Sequence, residues 1–327
     1  MDSQKDPSAR RDALLKILRL GGAGVAVSGL AVWLRARSRR PVEAEILAAK
    51  PDFQVPADPL LPELVISQGE DPAALVRNAI TGLGGIKRFV SRGDVVVVKP
   101  NIAWDRTPEQ AATTNPEVVR EMVRLCLDAG AKRVVVTDVS CNDARRTFQR
   151  SGIAEAARNA GAETLLPEER RFKHINLRGD ALGVWPVFEP FLAADKMINL
   201  PIAKHHSLTG VTLGMKNWYG ILGGPRSQLH QHIAESIVDL ADFVRPTLTL
   251  IDAYRILVRN GPTGGSLSDV VLKKTVVAGT DPVAVDAYVA KAFWNLEGTA
   301  LSYLTLAQNR GLGKLKFENL RTCVVHA

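Results

Sequence analysis

Cysteine is scarce in this chain. Cys126, Cys141 and Cys323 are the only three in 327 residues, and they lie far apart. No Cys-x-x-Cys pair occurs, which argues against a self-contained iron–sulfur cluster or a zinc ribbon. Aromatic residues are thin at 6%, with no RNA-stacking motif among them. Three catalytic signatures are missing too: Gly-x-x-x-x-Gly-Lys-Ser/Thr, Gly-x-Ser-x-Gly and His-Glu-x-x-His. Phosphoryl transfer on a P-loop, serine hydrolysis and zinc proteolysis therefore have no motif to stand on. No internal repeat or low-complexity tract is present.

The formal charge of +8 is unevenly spread. Residues 1–40 carry nine Lys and Arg against Asp2, Asp6 and Asp12, a balance of +6 that leaves +2 for everything else. The rest of the chain is nearly neutral, so a nucleic-acid partner is not expected. Within that basic stretch, Ser8-Ala9-Arg10-Arg11-Asp12-Ala13-Leu14-Leu15-Lys16 precedes the apolar run Leu20–Leu34. This arrangement resembles a twin-arginine export signal. At 15 residues the run falls short of the roughly 20 that span a bilayer. The expectation is an exported body, periplasmic or tethered to the inner membrane. An N-terminal anchor with a cytoplasmic body is the alternative. Pro41, Pro51, Pro56, Pro59 and Pro62 mark residues 41–62 as a linker, with the folded body from residue 63 onward.

The body reads as α/β. Val95–Val98, four valines without alternation, predict a central parallel strand buried on both faces, with Lys99-Pro100-Asn101 at its carboxyl end. Asn115-Pro116 opens a helix that Gly130 closes, and Val134–Thr137 is the next strand, ending in Asp138 and Ser140. Further strands are expected at Leu64–Ser67, Met197–Ile202, Leu248–Ile251 (ending in Asp252), Thr275–Ala278 and Thr322–His326. Helices are expected over residues 231–244 and from Asp281 through Ala292. Together these predict a mostly parallel central sheet with helices on both faces, with residues 63–190 and 191–327 as candidate lobes around a cleft.

Most of the chemistry lies between residues 196 and 232. Four of the six histidines are here, His205, His206, His230 and His232, together with Lys204, Lys216 and Asn217. Polar groups following a buried strand fall where open α/β sheets place their ligands. Two readings stand. In one, Lys204 and His205 are solvated loop residues and the later histidines sit on an exposed helix face. In the other, the stretch forms an anion or metal site, with lysine as fixed charge, asparagine as amide donor and histidine as acid, base or ligand.

Several segments, in this order, resemble the bacterial and archaeal family known as domain of unknown function 362. They are Val95–Asn101, Lys204-His205-His206, Gly210–Gly220 with Lys216-Asn217 inside it, Asp252-Ala253, Gly261-Pro262 and Asp281-Pro282-Val283-Ala284-Val285-Asp286. The likeness covers residues 63–325. Members of that family often carry or accompany ferredoxin-like iron–sulfur modules, so the resemblance implies a ferredoxin-like redox partner. The stretch from Asp195 through Lys216 is also similar to the nickel-pincer lactate racemase family. There a lysine ten residues after a histidine holds the cofactor, as Lys216 follows His206. His232 falls where that family places a metal-ligating histidine. The Lys99-Pro100-Asn101 junction is similar to its substrate-binding turn. The resemblance thus implies His206 and Lys216 as catalytic residues and His206 with His232 as ligands of a divalent metal. Lys99, Asn101, Lys204, Asn217 and Asp252 are the expected contacts for a small anionic, carboxylate-like molecule. The other class of function is a non-catalytic, membrane-attached accessory to an iron–sulfur protein.

Overall fold

A computed structural model of the chain describes Glu45, Leu47 and residues 50–326. The export-like segment at residues 1–40 lies outside the described residues. Among them, no helix is long and apolar enough to cross a membrane.

The body opens with β1 (Leu64–Gln68) and α1 (Pro72–Gly82), whose first turn is capped by the Asp71 carboxylate accepting from Ala73 and Ala74 N–H. β2 (Val95–Pro100) follows, then α2 (Pro116–Asp128) with Asn115 as its cap and Pro116 pre-set in its first turn. Next come β3 (Arg133–Val136), α3 (Ala144–Arg150), α4 (Ile153–Asn159) and the short β4 (Glu163–Thr164). β5 (Phe172–Asn176) and β6 (Val184–Phe188) form a separate antiparallel ribbon. The chain returns to the main sheet with β7 (Lys196–Leu200), β8 (Ile202–His206) and β9 (Gly210–Thr212). α5 (Ile233–Phe243), β10 (Leu248–Leu257), β11 (Val270–Gly279), α6 (Pro282–Trp294), α7 (Ser302–Asn309) and β12 (Thr322–His326) complete it.

The main sheet runs β12-β1-β11-β10-β7-β2-β3-β4, with β8 pairing to β10 and β9 to β8. β10, β7, β2, β3 and β4 are all mutually parallel, while β11 runs antiparallel to both its neighbours. Alternate residues face opposite layers. Val97, Val135, Met197 and Ile251 point to the side covered by α5, α6 and α7. Val96, Val98, Val134, Ile198 and Leu250 point to the side covered by α1, α2 and α4. Helices on both faces explain why the strands read as unbroken apolar runs. The fold is thus the mixed α/β layer structure expected, built on a largely parallel sheet.

Three local differences from the sequence reading have physical causes. The stretches 63–190 and 191–327 share one sheet, since β7 is hydrogen-bonded between β2 and β10. Part of the expected linker is packed onto the body: Phe53 is buried and its N–H donates to Arg245 O at 2.9 Å. Burying that one large ring outweighs the loop-like character of the prolines around it. Lys204 and His205 lie on β8 rather than in a loop. The chain passes from β7 through Pro201, which has no N–H to extend the ladder toward β2. It then continues beside β10 instead. A crevice opens where β8 parts from the end of β2.

Candidate functional site

From β2 the chain moves outward through β3 to β4, whereas β7 pairs on β2's other side. Such a reversal leaves a gap beyond the carboxyl ends of the strands, the usual ligand position in open α/β sheets. Here it is a cavity of about 620 Å³, within the range of small-molecule sites. Lys99, Asn101, Lys204, His206, Lys216 and Asn217 all line it, so six of the residues singled out from sequence meet at one cavity.

Buried hydrogen bonds build its floor. The Lys99 side chain is 0% exposed and its ammonium meets Asp138 Oδ1 at 2.7 Å. Asp138 Oδ2 accepts from Ile102 N–H at 2.6 Å. Lys204, 1% exposed, donates to Ala112 O (2.6 Å) and Asn101 Oδ1 (3.1 Å). Asn101 Nδ2 donates to Asn217 Oδ1 at 3.1 Å, and Asn217 Nδ2 to Asn199 Oδ1 at 2.9 Å. These amides orient one another and lock the end of β2 to the turn that carries Lys216. Gly220 abuts the ion pair: a Cβ there would lie 1.8 Å from Asp138 Oδ1 and 2.7 Å from Lys99 Nζ. Only a residue without a side chain lets the turn come this close.

Lys216 lies on a tight helical turn, Met215–Ile221. The buried Asp286 carboxylate of α6 holds the start of that turn, accepting from Gly214 N–H (2.7 Å) and Met215 N–H (3.0 Å). The ammonium of Lys216 sits 4.4 Å over the Tyr219 ring. It is 6% exposed and, among the described residues, donates no hydrogen bond. Burial lowers its pKa to about 8, and burial lowers that of Lys204 to about 7. Burial, with Lys216 and Lys204 nearby, drives the His206 imidazole down to about 3, so it is neutral at physiological pH. Its Nδ1 accepts from Leu208 N–H at 3.1 Å, which places the remaining ring proton on Nε2.

Two of the expected site residues stand elsewhere. Asp252 does not line the cavity: its carboxylate accepts from Asn115 N–H (2.8 Å) and Tyr254 N–H (3.0 Å), tying β10 to the start of α2. The strand expected to end at Asp252 runs on to Leu257, so Asp252 sits mid-strand and its carboxylate is spent on the N–H of Asn115, the residue that caps α2. His232 is exposed at the start of α5 and also lies off the cavity, whereas His230 lines it. Arg226–His230 is a tight turn, so residues two apart leave it in different directions. The His230 ring stacks 6.3 Å from His206 and 5.9 Å from Tyr219. The donor set does not fit a metal held by protein ligands alone. Among the described residues, no group of three or more His, Cys, Asp or Glu is placed to hold an ion.

Sequence reasoning passed over Arg226, Tyr219 and Cys141. Arg226 donates to Val139 O (2.6 Å) and Ser140 O (2.7 Å), fastening the turn after Gly224 to the end of β3. Its position directly after Gly223-Gly224-Pro225 was the available signal. Cys141 lines the cavity, is exposed, and has its Sγ 3.7 Å from the Arg226 guanidinium.

The family model described as Domain of unknown function (DUF362) matches residues 96–291, from β2 into α6. The chain belongs to the DUF362 family. Among curated proteins, this DUF362 chain is 26% identical over 254 residues to the thylakoid-associated protein sll1697 of Synechocystis sp., covering 73% of this chain and 75% of that one. Solved structures similar to it include the lactate racemase apoprotein of Thermoanaerobacterium thermosaccharolyticum, at 12% identity and a TM-score of 0.39. That match covers 71% of this chain and 55% of the racemase. A Thermotoga maritima protein matches at 13% identity and a TM-score of 0.39, over 73% of this chain and 60% of the other. The DUF362 chain thus spans little more than half the length of the two solved proteins.

Proposed function

We propose that this DUF362 protein is an enzyme that binds a carboxylate-bearing molecule in the Lys/His/Asn cavity and moves a proton next to the carboxylate. The observation that carries this reading is Lys216: a buried ammonium, on a cavity wall, with no hydrogen-bond acceptor from the described protein. An anion there gains a charge-assisted bond that the protein itself leaves unmade. Asn101 and Asn217 hold the floor rigid, and Lys99, neutralised by Asp138, contributes shape rather than net charge.

Roles follow from the protonation states. Lys204 holds the carboxylate in the reacting pose, which leaves Lys216, with a pKa of about 8, free to exchange a proton near neutrality. His206, neutral with its proton on Nε2, is suited to donate a hydrogen bond that polarises a carbonyl. The reaction class is proton abstraction beside a carbonyl or carboxylate. The test is exchange of the methyl C–H beside the carbonyl of pyruvate and of the C–H beside the carboxylate of lactate, followed by NMR in deuterated water against a protein-free control. Exchange with the native protein and its loss in Lys216→Met support the reading. Failure of either acid both to bind and to exchange refutes it.

The name of the thylakoid-associated relative favours a second reading, placement at a membrane; the accessory role beside a ferredoxin-like iron–sulfur protein belongs to this reading and rests on the family resemblance. Export by the twin-arginine route belongs to this proposal and rests on the N-terminal sequence. Fractionation of the natively expressed full chain separates the outcomes. A periplasmic or membrane-bound pool supports export or tethering, whereas a body protected on the cytoplasmic side supports the simple anchor.

A further inference from the structure

Cationic groups are only part of the cavity's lining. Trp104, Val139, Leu208, Tyr219, Pro225 and Pro262 line it as well. Leu208 is the telling residue. It is 63% exposed at the tip of the turn between β8 and β9, and unlike Leu60 and Leu267, which are also exposed, it lines the cavity beside Trp104 and Tyr219. That turn is fixed: the N–H groups of Leu208 and Thr209 both donate to His206 Nδ1, at 3.1 and 3.4 Å. Leu208 is therefore held over the cavity by a residue of the anion site itself. Trp104, which follows the end of β2, also lines the cavity and is half-buried. A cavity of about 620 Å³ is of the size that accommodates drug-sized ligands. A two- or three-carbon acid on Lys216 leaves most of it to water.

We infer that the ligand of this site is an amphiphilic carboxylate, with its charged end on Lys216 and Lys204 and an apolar or aromatic body between Trp104, Tyr219 and Leu208. This deepens the proposed function and rests on its anion site. Burial of a ring or short alkyl chain against these walls removes apolar surface on both sides from water. Tyr219 lines the cavity and its ring lies 4.4 Å from the Lys216 ammonium, so the two parts of the ligand meet at this residue.

Calorimetric titration of the full-length protein with three probes tests the inference: 3-phenylpropionate, acetate and 3-phenylpropan-1-ol. The expected result is that 3-phenylpropionate binds at least tenfold tighter than either of the others. Leu208→Ser and Trp104→Ala should each narrow its advantage over acetate, and Lys216→Met should weaken both acids. Leu208 is exposed, so its replacement leaves folding intact and keeps the test sound if the tryptophan variant misfolds. Equal affinity for the two acids overturns the inference while leaving the anion site standing. Equal affinity for 3-phenylpropionate and the alcohol overturns both, as does the absence of any binding.

Discussion

Replacing Asp138 by Asn should cost this protein far more than its isosteric shape suggests. In the native fold Lys99 and Asp138 form an ion pair at 2.7 Å with side chains 0% and 2% exposed. Asparagine keeps an acceptor for the Ile102 N–H but withdraws the negative charge facing a fully buried ammonium. Removing one partner of a buried pair typically destabilises by about 3–5 kcal/mol, because the remaining charge stays desolvated. The retained hydrogen bond places the expectation near the lower end, about 3 kcal/mol. At about 2–4 °C per kcal/mol for a chain of this order of size, the melting temperature should fall by roughly 6–12 °C. Burial already pulls the Lys99 pKa down against the opposing pull of Asp138, so the variant lysine is driven toward its neutral form. Lys99→Met alone should also destabilise, and Lys99→Met with Asp138→Asn should recover much of the loss. Urea unfolding of the four proteins gives the coupling directly. Additive single effects, or an Asp138→Asn variant within about 0.5 kcal/mol of native, the usual scale of neutral surface changes, would refute the reasoning.

Anion affinity should be greatest at about pH 6, above the carboxylate range and below the lysine values, and decline as pH rises through 7 to 8, where the free-protein ammoniums of Lys204 and Lys216 titrate. A bound carboxylate raises both pKa values, so binding takes up protons in that window; acetate titrations in buffers of different ionisation enthalpy would detect this uptake. Iodoacetamide should modify exposed Cys141 first and leave buried Cys126, whose thiol is pushed up to about 12, untouched. Peptide mass spectrometry should then show 3-phenylpropionate slowing the Cys141 reaction. Gly220→Ala should destabilise by about 1–3 kcal/mol in chemical denaturation through overpacking, since its Cβ would fall 1.8 Å from Asp138 Oδ1.

The valine run at 95–98 and the Asn-Pro and Asp-Pro helix starts made the layers of this fold legible before any coordinates. Each states its structure locally, by burial on both faces or by a cap. The cluster of Lys99, Asn101, Lys204, His206, Lys216 and Asn217 was legible for a related reason: polar groups at strand ends point to one rim. What stayed hidden depends on distance and direction. Asp252 has the same strand-end signature as Asn101, yet its acceptors are consumed by N–H groups, one of them 137 residues away in sequence. His230 and His232 differ only in the phase of a tight turn, which periodicity does not resolve. Arg226 works through backbone carbonyls of the β3 end, and no spacing rule announces such a fastening.

The grip of Asp286 on Gly214 and Met215 has a practical corollary for anyone engineering or screening this protein. Lesions in α6, which supplies no residue to the cavity lining, would present as loss of the proposed anion binding, because they loosen the anchorage of Lys216. Trimming the chain ahead of position 286 would, by the same token, strand two amide hydrogens in a dry interior and disable the cleft from behind.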